Sequence, residues 1–131
     1  MRKKLIAANW KMYKTPAEAQ AFVRDFLPLV AGHTRDEIAL CAPFVCLPAL
    51  VEAVRGSALG VGAQNMFWEK EGAYTGQVSA GMLTAVGCTH VILGHSERRQ
   101  HFGETDDTVN RKLEVALEAG LTPHRLRRRG D

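Results

Sequence analysis

The chain has 131 residues, 46% of them hydrophobic, which suits one small domain with a core and excludes general disorder. Its three cysteines, Cys41, Cys46 and Cys88, are odd in number and lack CxxC spacing, so they read as reduced core thiols of a cytoplasmic protein, with zinc a poor second reading. The net charge of +3 is uneven: four of the seventeen basic and one of the fourteen acidic residues fall in 124–131, leaving thirteen of each sign in 1–123.

After Met1-Arg2-Lys3-Lys4, only Leu5-Ile6-Ala7-Ala8 precede the return to polarity at Asn9. That is too short for a signal peptide, and no apolar stretch approaches the ~18 residues of a membrane span. A first strand is predicted over 4–9. Thr15-Pro16-Ala17-Glu18 then opens a helix, with Thr15 as N-cap, Pro16 at N1 and Glu18 closing a capping box. Phe22, Phe26 and Val30 give this helix its apolar stripe. A second strand covers 37–42 and stops at Pro43; a short helix follows over 47–54, then a third strand over 59–63. Residues 64–78 form a long loop carrying Trp68, Gly72, Tyr74 and Gly76, and loops of that length are often functional. A fourth strand covers 90–93. Thr105-Asp106-Asp107 starts a helix with acids at its favourable end; Val109, Leu113, Ala116 and Leu117 line its buried face, and Gly120 closes it. Four βα units are countable, the pattern of a parallel α/β fold. Gly60-Val61-Gly62 lacks the third glycine and the following helix of a dinucleotide loop, and no Walker, HExxH or GxSxG motif is present.

Two polar clusters follow buried strands. In Leu5-Ile6-Ala7-Ala8-Asn9-Trp10-Lys11, an amide and a cation at i and i+2 are expected on the same face of a strand. A lysine there suits an anionic ligand or a negative charge forming in a reaction, although packing of its stem on Trp10 would explain the lysine alone. In Val91-Ile92-Leu93-Gly94-His95-Ser96-Glu97, the histidine sits where a strand meets its helix, the usual place for chemistry in such folds. The positive helix end there favours a neutral ring that donates a hydrogen bond. A lone histidine would more simply be one satisfied by backbone; the second cluster weighs against that.

These stretches, with Ala63-Gln64-Asn65, Gly72-Ala73-Tyr74-Thr75-Gly76-Gln77, Gly94-His95-Ser96-Glu97-Arg98-Arg99, Asn110 to Lys112 and Gly120-Leu121-Thr122-Pro123, come in the order and spacing of one family. Over residues 2–123 the chain resembles the N-terminal half of triosephosphate isomerase. The resemblance implies a partial (β/α)₈ barrel, a fold that typically needs about 250 residues. It implies interconversion of dihydroxyacetone phosphate and D-glyceraldehyde 3-phosphate through an enediolate, without metal or organic cofactor. By resemblance His95 is the neutral electrophile, Lys11 supplies positive charge, Asn9 positions substrate oxygens and Glu97 lies beside Lys11. Loop 64–78 becomes the arm of a homodimer, with Gln64, Asn65, Tyr74, Thr75, Gln77 and Arg98 as interface residues. Thr75 would reach towards the partner's active centre, and Gln77 stands where the family typically has Glu, which removes a charge able to pair with Arg98.

The family's general base lies on a later strand, and no carboxylate in 1–123 occupies its motif. Its loss removes ~10²–10⁴-fold of rate, so the chain alone is expected to be inactive. After Pro123 the family continues as a strand like Ile-Val-Cys-Val-Gly-Glu. One codon set for that peptide, ATC GTC TGC GTC GGC GAG, preceded by a single C, reads CAT CGT CTG CGT CGG CGA: His-Arg-Leu-Arg-Arg-Arg, as in His124-Arg125-Leu126-Arg127-Arg128-Arg129. Residues 124–131 are therefore expected to be a basic tail outside the family pattern, produced by a one-base frameshift or by a sequencing error that mimics one. No aromatic residue interleaves its arginines, so neither nucleic acid nor membrane is expected as a partner. The alternative to an enzyme fragment is a non-catalytic half-barrel that associates with intact isomerase subunits, which co-purification with such subunits would favour. Four strands of eight would leave open edges and an apolar inner face, so self-association is expected.

Overall fold

The computed structural model describes residues 3–125. Five strands, β1 (Lys4–Asn9), β2 (Asp36–Ala42), β3 (Gly60–Ala63), β4 (His90–Leu93) and β5 (Thr122–Arg125), form one parallel sheet in chain order. Parallel neighbours need crossovers, and helices supply them: α1 (Pro16–Val30), α2 (Leu47–Val54), α3 (Ala80–Val86), α4 (Ser96–His101) and α5 (Asp106–Glu118). The sheet with its helices is half of a (β/α)₈ barrel.

Side chains alternate across the sheet, so each strand serves two faces. Leu40, Ala42, Val61, Ala63, Val91 and Leu93 point to the helices and share the main core with Val23, Leu50, Leu83 and Val109. The opposite parity, Ala39, Cys41 and Ile92 with Leu5 and Ala7, forms a smaller cluster on the concave face. On β3 the concave positions are Gly60 and Gly62. A Cβ on Gly60 would stand 2.7 Å from the His90 ring, so the missing side chain makes room for that ring. His90 Nε2 reaches Glu37 Oε1 on β2 at 2.7 Å.

The helices start where their caps say they should. Thr15 caps α1 with both halves of the capping box in place, Glu18 N donating to Thr15 Oγ1 at 3.3 Å and Thr15 N to Glu18 Oε1 at 3.0 Å. Ala19 and Val23 are its buried positions; Phe22 and Phe26 pack half-buried beside them. Gly94 ends β4 at φ +71°, where a Cβ would stand 2.9 Å from Val109, so this turn requires glycine.

Four expectations change. A fifth strand is present: β5 pairs with β4 from His90↔Thr122 to Leu93↔Arg125, so the sheet runs past residue 123. Strand pairing uses backbone groups, so His124 and Arg125 can extend it whatever their side chains; residues 126–131 lie outside the described residues. Helix α3, capped by Ser79 and closed by Gly87 at φ +109°, is an addition to the expected elements. Leu117 is 58% exposed, and Lys112 takes the buried place on α5 beside Val109 and Ala116. Lys11 is not on the strand but two residues beyond Asn9, at φ +55°.

Candidate active site

At the C-terminal ends of the strands, a cavity of about 380 Å³ is lined by Asn9, Lys11, Gln64, Ile92, His95 and Glu97, among others. This is the end of a βα barrel where loops carry chemistry. A second cavity, about 430 Å³, lies at the other end between α1 and the starts of β2 and β3, lined by Leu27, His33, Asp36 and Leu59 among others. It holds one charge cluster, Asp36 with His33 at 2.9 Å and Arg35 at 3.2 Å, and no convergent set of reactive groups.

β4 delivers His95. The strand ends at Leu93, Gly94 turns the chain, and His95 becomes the N-cap of α4. Its Nδ1 accepts the Glu97 backbone N–H at 3.1 Å. A ring nitrogen that accepts an amide proton carries none of its own, so the neutral ring holds its proton on Nε2. Glu97 Oε1 lies 3.2 Å from the same Nδ1, while Oε2 lies 3.5 Å from Lys11 Nζ. With the ring nitrogen occupied by the amide, the carboxylate answers to the ammonium. Lys11 and Glu97 are each about half exposed, so this pair orients two charges rather than stabilising the fold.

Lys11 is aimed by its own backbone. Its N–H donates to Asn9 Oδ1 at 2.9 Å, and its carbonyl accepts from Gln64 Nε2 at 2.8 Å. The same Gln64 amide lies 3.1 Å from Asn9 Oδ1 and 3.4 Å from the Cys41 carbonyl. One side chain from the end of β3 thus ties down the end of β1 and the turn after it. A non-glycine residue at φ +55° costs of order 1–3 kcal/mol and persists only where its surroundings over-determine it. The spacing of Asn9 and Lys11 points to a shared region, but the left-handed turn, not strand alternation, brings them together.

The residues expected at an interface divide. Tyr74, Thr75 and Gln77 are exposed on the long loop, which is closed by Phe67 N–H donating to the Val78 carbonyl at 2.8 Å and packed by Phe67 against Trp68 and Tyr74. Gln64 and Asn65 face inward. Asn65 is buried, with Oδ1 accepting from Lys112 Nζ at 2.8 Å. Arg98, without a carboxylate at position 77, donates through Nε to Glu104 Oε2 at 3.2 Å and packs over Phe102. Glu104 also accepts from Lys112 at 2.8 Å and from Thr108 at 2.6 Å. This buried network fixes the root of the loop against α5 and goes beyond the sequence reading; the one available signal is Lys112 at helical spacing from Val109 and Ala116. Burial pushes the thiols of Cys41 and Cys88 up to about 12 and 11, so both stay protonated at neutral pH and neither is a nucleophile. Among the described residues no cluster of three metal-ligating side chains occurs, and no helix is long and apolar enough to cross a membrane.

A family model described as triosephosphate isomerase matches residues 4–124. A triosephosphate isomerase of Solibacter usitatus is 59% identical over 123 residues, covering 94% of this chain and 49% of the relative; one of Dictyoglomus thermophilum is 51% identical with the same shares. The solved structure of triosephosphate isomerase from Bartonella henselae superposes with a TM-score of 0.88 at 35% identity, covering 95% of this chain and 51% of that one. The chain spans about half the length of the curated relatives it matches. With the barrel-end cluster of Asn9, Lys11 and His95 in place and residues 4–124 matched throughout, the chain belongs to the triosephosphate isomerase family.

Proposed function

We propose that this chain carries the electrophilic half of a triosephosphate isomerase site, for the interconversion of dihydroxyacetone phosphate and D-glyceraldehyde 3-phosphate. The observation that carries the reading is the Glu97 amide held by His95 Nδ1, which leaves a neutral Nε2–H in the cavity that Lys11 and Asn9 also line.

The reaction moves a proton between adjacent carbons. A carboxylate base takes it from one carbon, and the carbonyl oxygen gains negative charge as the enediolate forms. A neutral Nε2–H donates to that oxygen, and the Lys11 ammonium adds charge without a proton transfer. Fixed donors of this kind usually contribute more to such catalysis than any other single effect, because they need no reorganisation as the charge develops. Asn9 holds a substrate oxygen through the amide nitrogen left free by its Oδ1 contacts. Glu97 aims Lys11. No residue in 1–123 matches the base's motif, so turnover needs a second half-barrel, and the chain by itself is inactive. The exposed arm that carries Thr75 fits a dimer in which each copy completes the other's site. A triose phosphate substrate fits a role in glycolysis and gluconeogenesis, in the cytoplasm.

The test joins residues 1–123 to the remaining half of the Solibacter usitatus relative. His95→Gln is expected to lower kcat ~10²–10³-fold and Lys11→Ala to lower kcat/KM by at least as much. Either variant retaining full activity overturns the reading.

A further inference from the structure

Lys11 is not the only strained residue in the connection from β1 to α1. Lys14, three residues on, sits at φ +80°, where a lysine gains nothing from its own backbone. Between them Met12 and Tyr13 are exposed and, among the described residues, make no hydrogen bond, so the turn is held at its two ends. The Lys11 end is held by Asn9 and Gln64. The Lys14 end is held by different groups. The Cys46 thiol, fully buried in the 3-10 turn Phe44–Cys46, donates to the Lys14 carbonyl at 3.2 Å. The Lys14 ammonium lies 5.4 Å from both the Trp10 and the Phe22 ring centroids. Those two rings meet edge-on at 5.1 Å. Thr15, the next residue, is already committed as the cap of α1.

From this arrangement we infer that Lys14 and Cys46 are positioning residues for Lys11: together they pin the far end of the turn, so that the Lys11 ammonium is presented to the site. The inference rests on the functional reading of Lys11 given above. If the Lys14 end is released, the strain at Lys11 is relieved by rotation, the Gln64 bond to its carbonyl breaks, and the ammonium swings from Glu97. Burial and the nearby Glu18 carboxylate hold the Cys46 thiol above its ordinary range, which keeps the S–H donor in place. Cation–π contact explains why a lysine is accepted at a position whose φ favours glycine.

Two measurements test it. In the 131-residue chain, Lys14→Ala and Cys46→Ala should speed amide exchange at Lys11 by at least about tenfold while the α1 amides keep their protection. Lys14→Arg and Cys46→Ser, which keep the cation over the rings and the donor to the carbonyl, should restore it. In residues 1–123 joined to the relative's second half, Lys14→Ala should raise KM more than it lowers kcat, with Lys14→Arg again restoring the parent values. Unchanged exchange at Lys11 in both alanine variants together with unchanged KM in Lys14→Ala overturns the positioning role. If Lys11→Ala itself leaves activity intact, the functional reading has failed instead, and the exchange data alone then decide whether the turn is pinned from Lys14.

Discussion

Glu104 shows 2% of its side chain to solvent, yet Arg98, Lys112 and Thr108 all share its carboxylate. Burial works against its charge, but the bonds from Lys112, Thr108 and Arg98 outweigh it and hold the carboxyl below its ordinary 4.5. A carboxyl lowered by folding stabilises the fold at any pH above its unfolded value, and that stability drains away as pH falls through the lowered one. Urea unfolding should therefore lose midpoint below about pH 4.5 in the parent, with a shallower loss in Glu104→Gln. At neutral pH the same variant should cost about 3–5 kcal/mol, because it strands a buried ammonium. Burial already holds Lys112 below the usual ammonium range, so the cost of Glu104→Gln should shrink towards alkaline pH as Lys112 sheds its proton. A variant as stable as the parent across this range would show that the network carries no energy. The sequence displays the periodicity that buries position 112 but not its partners, because Asn65 lies 47 residues away and no local pattern connects them.

Among the elements, those with strong local chemistry match their predicted bounds. β1 and α2 are as read, and α1 starts at the predicted capping box, where Thr15→Ala should cost about 1 kcal/mol in urea unfolding while leaving the fold's strand signals intact. No loss at Thr15 would mean that α1 is held wholly by Ala19, Val23 and its aromatic neighbours. α3 escapes a reading by pattern for a physical reason. Ala80-Gly81-Met82-Leu83-Thr84-Ala85-Val86 contains glycine and β-branched residues that disfavour a helix, and only Ala80 and Leu83 are buried. Its two punctuation marks, Ser79 before and Gly87 after, are the available signal. Lys11 belongs to the expected site but reaches it by a different geometry, since strand alternation cannot reveal a left-handed turn made possible by Gln64 from β3.

At the scale of the molecule, β1 and β5 each pair with one neighbour in the described sheet, and the concave face carries Leu5, Ala7, Ala39, Cys41 and Ile92. The half-barrel is legible because alternating strands and helices admit few parallel folds, and the ordered series of motifs names which one. The fifth strand is not, because its residues, Thr122–Arg125, follow no apolar pattern. The proposed site is divided in the same way as the barrel: donors and cation on this half, base beyond it. Turnover of dihydroxyacetone phosphate is therefore the decisive measurement, made on the 131-residue chain alone and on residues 1–123 joined to the remaining half of the Solibacter usitatus relative. The first should show no turnover above buffer and the second enzyme-like turnover. Enzyme-like turnover by the chain alone, or a folded joined barrel with none, would contradict a site split in this way.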